Sequence, residues 1–396
     1  MNTIELADQS LCTGCGACAA RCPKHCISMR ENAVGIVLPV IDTTACIGCH
    51  TCEKACPILK TPEPHKPSEA YAAWSSDGAE RVTSASGGVA IEMYKHAVAN
   101  GYAAVGASQN DDFSVTHKLV TSADGLGQFK NSKYVFSDAY DAFADIKKAL
   151  RESRKVIFIG LPCQVAALRK LFRDDSLLLV DLVCHGTTPL SYLRQHIGML
   201  SRQAGKVAKR MSFRDPAHDT CKYTLTLYDI RGEKFYAKRT KDGDTYQFGY
   251  HRAVSYRENC YHCRFACAER QGDITIADYH GLGLCAPASF SSRKVSLVLI
   301  NTGKGKAFVE ELVSGGRVHV EPRPLEEPFK GEPQLRHPSV KSKYRMAFEK
   351  EIVRHGGDFE QAIKRLQRKY MAQMRIVGVV SLPKKILRKV KKTIIG

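Results

Sequence analysis

The spacing of hydrophobic positions changes along this chain, and each change marks a different kind of structure. Over roughly the first 60 residues apolar side chains are interrupted by cysteine, glycine and proline. From Ser68 onward, short continuous apolar runs alternate with stretches of helical spacing. Ile91–Ala99 reads as a helix, and Ala103–Ala107 as a strand entered through Asn100-Gly101. Lys155–Ile159 reads as a strand closed by Gly160, Gln164–Phe172 as a helix, and Leu177–Val183 as another apolar strand. Ile274–Ala277 and Ser296–Ile300 are further strands. Continuous apolar strands alternating with helices predict a largely parallel sheet covered on both faces. Between Phe213 and Tyr250 the pattern turns to alternation, as in Tyr223–Tyr228, and reads as a β-rich insertion. After Pro338 the chain is helical and basic. Its last segment, Lys384–Lys392, places Ile386, Leu387, Val390 and Ile394 on one helical face with cations around the rest.

The first 60 residues contain an internal repeat. Cys12, Cys15 and Cys18 run on to Cys22-Pro23, and Cys46, Cys49 and Cys52 run on to Cys56-Pro57. A cubane of four irons needs four soft thiolates, and three closely spaced cysteines wrap one corner of it. In this spacing the fourth cysteine of each run ligates the other cluster. Cys12, Cys15, Cys18 and Cys56 are therefore expected to hold one [4Fe–4S] cluster, and Cys46, Cys49, Cys52 and Cys22 a second. Gly14, Gly16 and Gly48 let the backbone turn close to sulfur and aim N–H groups at it. A structural zinc site uses pairs of ligands, not this triplet-plus-one repeated with proline. Cys26 falls outside the pattern and reads as a small buried hydrophobe. Pro62, Pro64 and Pro67 then form an extended spacer. The expected organisation is a two-cluster ferredoxin domain over 1–61, a linker over 62–67, an α/β main domain with a β-rich insertion over 68–330, and a basic helical tail over 331–396. Taken as a whole, this is an α+β chain around an α/β domain.

Four more cysteines stand where sheet strands end. Cys163 follows the strand closed by Gly160, and Cys184 follows the next strand in Val183-Cys184-His185-Gly186. Open α/β sheets place ligands at such carboxyl ends. Cys260 and Cys263 form a further C-x2-C pair. Together these four supply enough thiolates for a third cluster. Buried core cysteines, a redox-active pair and a zinc site fit the spacing as well. Cys267 is a rival ligand in the same loop, and Cys221 and Cys285 read as structural.

Composition narrows the class of protein. The 396 residues carry a formal charge of +19 and 16 cysteines. The start of the chain has no basic and apolar leader, and no apolar run is long enough to span a bilayer. Thiolate ligands in a reducing cytoplasm are expected rather than disulfides. The positive charge calls for an anionic partner: an acidic ferredoxin, a phosphorylated or carboxylated substrate, or a membrane surface. No nucleic-acid signature is present, so nucleic acid ranks last. The basic tail is expected to seek a surface, with peripheral contact at the inner face of the membrane. Gly281–Ala286 fits a dinucleotide fingerprint only superficially, because it opens no βαβ unit. Gly303-Lys304-Gly305-Lys306 reads as a turn.

Several stretches, in order, resemble the beta-subunit family of coenzyme F420 hydrogenases and dehydrogenases. They are Ser84–Val89, Ser132–Ser137, Leu161–Gln164, Cys184–Gly186, and Cys260 through Cys263 on to Gly272–Asp278. The resemblance covers about residues 1–330. It implies FAD beside a [4Fe–4S] cluster whose ligands match Cys163, Cys184, Cys260 and Cys263. Ser84, Ser86, Gly87, Gly88, Lys133 and Tyr134 match parts of the family's flavin domain. A serine- and glycine-rich turn before a helix also suits a phosphate on physical grounds. The sequence departs from the family pattern at Ala277–Gly281, where a different local pocket is expected.

The expected function is that of an iron–sulfur flavoprotein oxidoreductase. Clusters would exchange single electrons with a ferredoxin or partner subunit, and the flavin would reduce or oxidise an organic, anionic substrate. That substrate would be the deazaflavin coenzyme or, by the company bacterial relatives keep, a polysaccharide-pathway metabolite. His185 is the candidate proton donor. The alternative is an electron-relay subunit of a larger dehydrogenase, with no substrate of its own.

Overall fold

The computed structural model describes residues 4–32, 35–291 and 293–374. In the N-terminal region two short helices, Ala17–Arg21 and Thr51–Ala55, flank an antiparallel hairpin of Ile27–Glu31 with Val37–Ile41. Each helix starts from a residue in the left-handed conformation, Gly16 at φ 78° and His50 at φ 55°. The two halves of the repeat thus fold alike, although only one uses glycine there.

The main body is built on a nine-stranded sheet. Its order is 318–323, 69–75, 296–300, 274–278, 177–182, 156–160, 103–109, 115–120 and 137–138. The four central strands Ile274–Asp278, Leu177–Leu182, Val156–Gly160 and Ala103–Gln109 are mutually parallel. Outside them the pairings are antiparallel, except that 137–138 runs parallel to 115–120. The sheet is therefore mixed, where the apolar runs predict a largely parallel one. A flanking strand covered on both faces is as apolar as a parallel one, so composition does not distinguish the two directions.

Side chains alternate between two cores, as the pleat requires. Ile157, Ile159, Leu178 and Val180 pack under the helices Val89–Ala99 and Gly303–Ser314. Phe158, Leu177 and Leu179 pack on the other face under Ala142–Arg151 and Pro162–Leu171. Ala17 of the N-terminal region joins this second core, so the ferredoxin-like region is seated on the main body.

Three expectations are corrected. The insertion is β only over Ala208–Ser212, Leu225–Asp229 and Lys234–Lys238, and Thr245–His251 is a helix capped by Asp244. Every residue of Leu225–Asp229 is buried, because the strand lies between neighbours in a small sheet that is covered by helices. The proline-rich segment is stitched down: His65 exchanges two 2.8 Å backbone hydrogen bonds with Arg270, and Arg169 donates to the Glu63 carbonyl. The chain beyond residue 330 does not form a separate tail as far as it is described. Phe348 and Ile352 on the helix Lys343–Arg354, and Phe359, Ile363 and Leu366 on a helix over 359–374, bury against Leu193, Ile197 and Leu227. The amphipathic segment over 384–392 lies outside the described residues.

Candidate functional site

The carboxyl ends of neighbouring strands create the site. The strand Val156–Gly160 runs through Leu161 into the helix Pro162–Leu171, with proline at its first turn, where a missing N–H costs nothing. Cys163 therefore sits in the first turn of a helix. The adjacent strand Leu177–Leu182 leads into the loop that carries Cys184 and His185. Gln164 locks this corner: it accepts from the Leu161 N–H at 2.9 Å and donates to the Ser137 carbonyl at 2.8 Å. Two of the stretches that resemble the family are thus in direct contact.

Cys260 arrives on the short 3-10 turn Glu258–His262, and Cys263 is the residue that caps it. A buried ion pair fixes their loop from behind. Arg270 contacts Asp181 at 2.9 Å and donates to the Phe265, Cys267 and Leu182 carbonyls. Asp181 in turn accepts from the Gln271 and Gly272 N–H groups and from Thr275. Cys163, Cys184, Cys260 and Cys263 then line one small chamber, which Cys15 of the N-terminal region also reaches. Cys267 is not among its lining residues and instead bonds the Arg264 and Glu269 carbonyls.

The N-terminal cysteines fall into two further groups. Burial raises the pKa of Cys18, and Cys15, Cys12 and Cys56 add to the rise by their proximity. Burial likewise pushes Cys15 up to about 11, with Cys12 and Cys56 contributing. Cys22 lines a separate cradle with Cys46, Cys49 and Cys52. Cys26 lies in that cradle as well, its sulfur 3.4 Å from that of Cys22.

These donor sets fit cubane clusters. Burial raises Cys12, Cys15, Cys18, Cys163, Cys184 and Cys263 above the usual thiol range, and such thiols remain neutral unless a cation takes the proton's place, as ligated iron would. Among the described residues, no group of His, Cys, Asp or Glu is gathered tightly enough to hold a single metal ion. In a cubane each thiolate binds its own iron, so the four sulfurs stand farther apart than four ligands around one ion.

A large cavity of about 570 Å³ adjoins the cysteine chamber, within the size range of small-molecule sites. The two share Ser137, Leu161, Gln164 and the stretch from Cys184 to Thr187. Ser84, Ser86, Gly88, Lys133 and Tyr134 line the cavity. Gly87 lies just behind it, where an added Cβ would stand 2.4 Å from the Ala73 carbonyl. Ser86 donates to the Val295 carbonyl at 2.8 Å, and the N-terminus of the helix Val89–Ala99 opens into the cavity. This turn suits the phosphates of a dinucleotide. Lys133 has a different part. Its Nζ donates to the Ala107, Gln128 and Lys130 carbonyls at 2.9–3.0 Å, and burial draws its pKa down to about 7. It holds the loop that shapes the wall.

Sequence reading missed several lining residues. Arg214 is 2% exposed, lies with Cζ 4.0 Å from the Tyr223 ring centre, and pairs with Asp278, which also accepts from the Tyr223 hydroxyl at 3.2 Å. His185 stands at the cavity wall with Nε2 3.4 Å from Glu332, and His280 approaches the other oxygen of that carboxylate at 3.8 Å. Burial opposes the charge of Glu332, yet the hydrogen bond and charge of His185, with His280, hold its carboxyl below the usual range. Pro338 and Ser339 line the cysteine chamber, and Ser339 donates to the His185 carbonyl at 2.6 Å. The chain after residue 330 thus helps close the site. Apart from His185, only the Ala277–Gly281 departure, which contains Asp278 and His280, signals any of this in the sequence.

Residues 11–58 match the family model of the 4Fe-4S dicluster domain, and residues 153–325 match that of the C terminus of the coenzyme F420 hydrogenase/dehydrogenase beta subunit. Residues 153–325 are thus similar to the C-terminal domain of the coenzyme F420 hydrogenase/dehydrogenase beta subunits, behind a dicluster ferredoxin-type domain. A curated relative is the F subunit of the F(420)H(2) dehydrogenase of Methanosarcina mazei, 23% identical over 272 residues, which cover 65% of this chain and 73% of that protein. Among solved structures, a chain of the F420-reducing [NiFe] hydrogenase complex from Methanosarcina barkeri aligns at a TM-score of 0.44 and 18% identity, over 74% of this chain and 94% of that one. The dicluster match marks an iron–sulfur protein, and its relatives are subunits of oxidoreductases. The family's C-terminal match contains Cys163, Cys184, Cys260 and Cys263, and the dicluster match contains all eight N-terminal ligand candidates. No helix among the described residues is long and apolar enough to cross a membrane.

Proposed function

We propose that this chain is an iron–sulfur flavoprotein oxidoreductase with three [4Fe–4S] clusters and FAD, acting on an organic, anionic substrate. The observation that carries the reading is continuity. The thiols of 46–52 with Cys22, then Cys12–Cys18 with Cys56, then the chamber of Cys163, Cys184, Cys260 and Cys263, lead to the wall of the large cavity. When bound, the clusters supply single-electron exchange and the flavin supplies exchange of one or two electrons.

The chain's own residues would do the rest. Cys184 serves both spaces, so its loop would hold the innermost cluster against the flavin. Ser84, Ser86 and Gly88 would seat the phosphates, and Tyr134, stacked on Tyr250 with ring centres 4.6 Å apart, would form part of the ring wall. Arg214, lining the cavity beside Asp278, would meet an anionic group of a substrate such as a deazaflavin or a charged sugar derivative. His185, oriented by Glu332, is the proposed proton donor to that substrate.

A second reading has its own support. Cys49 is exposed, and Ile47 beside it is 60% exposed, so the outermost thiol set has an open, partly apolar edge. Such an edge suits a docked redox partner, either ferredoxin or another component of a larger dehydrogenase, as the relatives' names describe. The two readings separate in one experiment. Anaerobically purified protein is reduced with ferredoxin, and flavin absorbance is followed before and after adding an oxidised deazaflavin. Reoxidation of bound flavin by the free acceptor supports a substrate site in this chain. A flavin that reoxidises only when a partner protein is present supports the relay.

A further inference from the structure

One buried cation joins two of the thiol sets. Arg257 sits on the loop that carries Cys260, with its N–H bonded to the Thr187 carbonyl and its own carbonyl bonded to the Cys260 N–H. Its side chain crosses into the N-terminal region and donates through Nη1 to the Thr13 carbonyl at 2.9 Å, between Cys12 and Cys15. The guanidinium lies 4.4 Å from the centre of the Phe136 ring, and the residue is 3% exposed. Nε and Nη2 are buried without a hydrogen-bond partner. Arg257 lines the cysteine chamber, and the titratable groups within reach are Cys260, Cys163, Cys12 and Cys15, together with Asp138.

An unpaired guanidinium in such a place is costly unless an anion compensates it. Neutral thiols do not. Four thiolates outweigh the charge of a cubane core, so a ligated cluster is a net anion and becomes more so on reduction. The unpartnered Nε and Nη2 belong to a side chain that lines the cysteine chamber and reaches the Thr13 carbonyl between Cys12 and Cys15.

We propose that Arg257 is a positioning residue that sets the reduction potentials of both the cluster of Cys12, Cys15, Cys18 and Cys56 and the cluster of Cys163, Cys184, Cys260 and Cys263, and so matches them for electron passage. This rests on the third-cluster reading above. A shared cation stabilises the added electron on either neighbour and raises both potentials together. The set of Cys22, Cys46, Cys49 and Cys52 does not include Arg257 in its surroundings and serves as an internal reference.

The test is a potentiometric titration of the full-length, anaerobically purified protein, followed by electron paramagnetic resonance, with Arg257→Met, Arg257→Gln and Arg257→Lys. In the two uncharged variants the reduced-to-oxidised ratio of both neighbouring clusters should fall at least tenfold at fixed potential, about 59 mV for one electron. The Cys22–Cys46–Cys49–Cys52 signal should stay in place, and Arg257→Lys should lie within threefold of the parent. Unchanged potentials with full iron content overturn the proposal. So does loss of the third cluster in both uncharged variants, which would make Arg257 a structural clamp. A parent protein with only about eight irons overturns the third-cluster reading instead, and leaves the predicted shift at the first cluster standing as a separate test.

Discussion

The two cysteine-rich regions reach the same chemistry by opposite routes. In the N-terminal region six of the eight ligand candidates come from two short loops, and local turns bring the sulfurs together. In the main body the four candidates come from a helix N-terminus, a strand-end loop and a 3-10 turn, spread over 163–263 in sequence. The first arrangement is set by loop geometry, the second by the sheet. A local site should tolerate changes in the rest of the fold, whereas an assembled site should fail with the contacts that hold its loops.

The sharpest way to break this comparison is Cys163→Ala. It should remove about four of twelve irons and leave the N-terminal pair intact, as read by iron and sulfide analysis. Unchanged iron would mean the chamber holds no cluster. Next comes Arg270→Met, which strips the partner from buried Asp181 while touching no cysteine sulfur. Breaking such a pair costs about 3–5 kcal/mol, seen as a lower denaturation midpoint. The chamber's iron should be lost while the N-terminal iron stays. Equal loss from both regions would erase the distinction between local and assembled sites.

These contrasts explain how much was legible in the sequence. The ferredoxin repeat was readable because its ligands and the glycines that turn around them are neighbours in the chain. The sheet strands were readable because burial on both faces makes them continuously apolar. Strand direction was not readable, since Ser296–Ile300 and Val156–Gly160 are equally buried and differ only in partner. The four chamber cysteines were visible as residues, but their convergence depends on the Asp181–Arg270 pair, whose members are 89 positions apart. The closing role of Ser339 and Glu332 was hidden because a basic composition resembles a solvated tail. Lys133 was attractive as a phosphate ligand, and its three carbonyl partners come from the fold alone.

A third test concerns the packing of the chain after residue 330. His196 is 1% exposed, with Nδ1 2.6 Å from Glu360 and Nε2 3.1 Å from Asp244. Burial disfavours its charge, but the two carboxylates outweigh that and raise its pKa to about 9. A folded-state pKa above the unfolded value of about 6.5 contributes stability that is complete below pH 6.5. The contribution is lost as pH rises through 9, and amounts to a few kcal/mol on the scale of about 1.4 per unit. The denaturation midpoint should fall between about pH 7 and 9, and His196→Asn should flatten that slope without changing N-terminal iron. A parallel slope in the variant would place the titration elsewhere.

The smallest expected effect is at Gly14, the local counterpart of the Arg270 test. Its φ is +66°, and an added Cβ would stand 2.6 Å from the Val37 carbonyl. Gly14→Ala should cost about 1–3 kcal/mol and reduce occupancy of the first N-terminal cluster. The resonance signal of the cradle containing Cys46, Cys49 and Cys52 should persist.

Quantifying iron, acid-labile sulfide and flavin on one anaerobic preparation reaches the centre of the account. It predicts about twelve irons, about twelve sulfides and one FAD per chain, with all the iron signals reducible. A preparation carrying about eight irons and no flavin would contradict it.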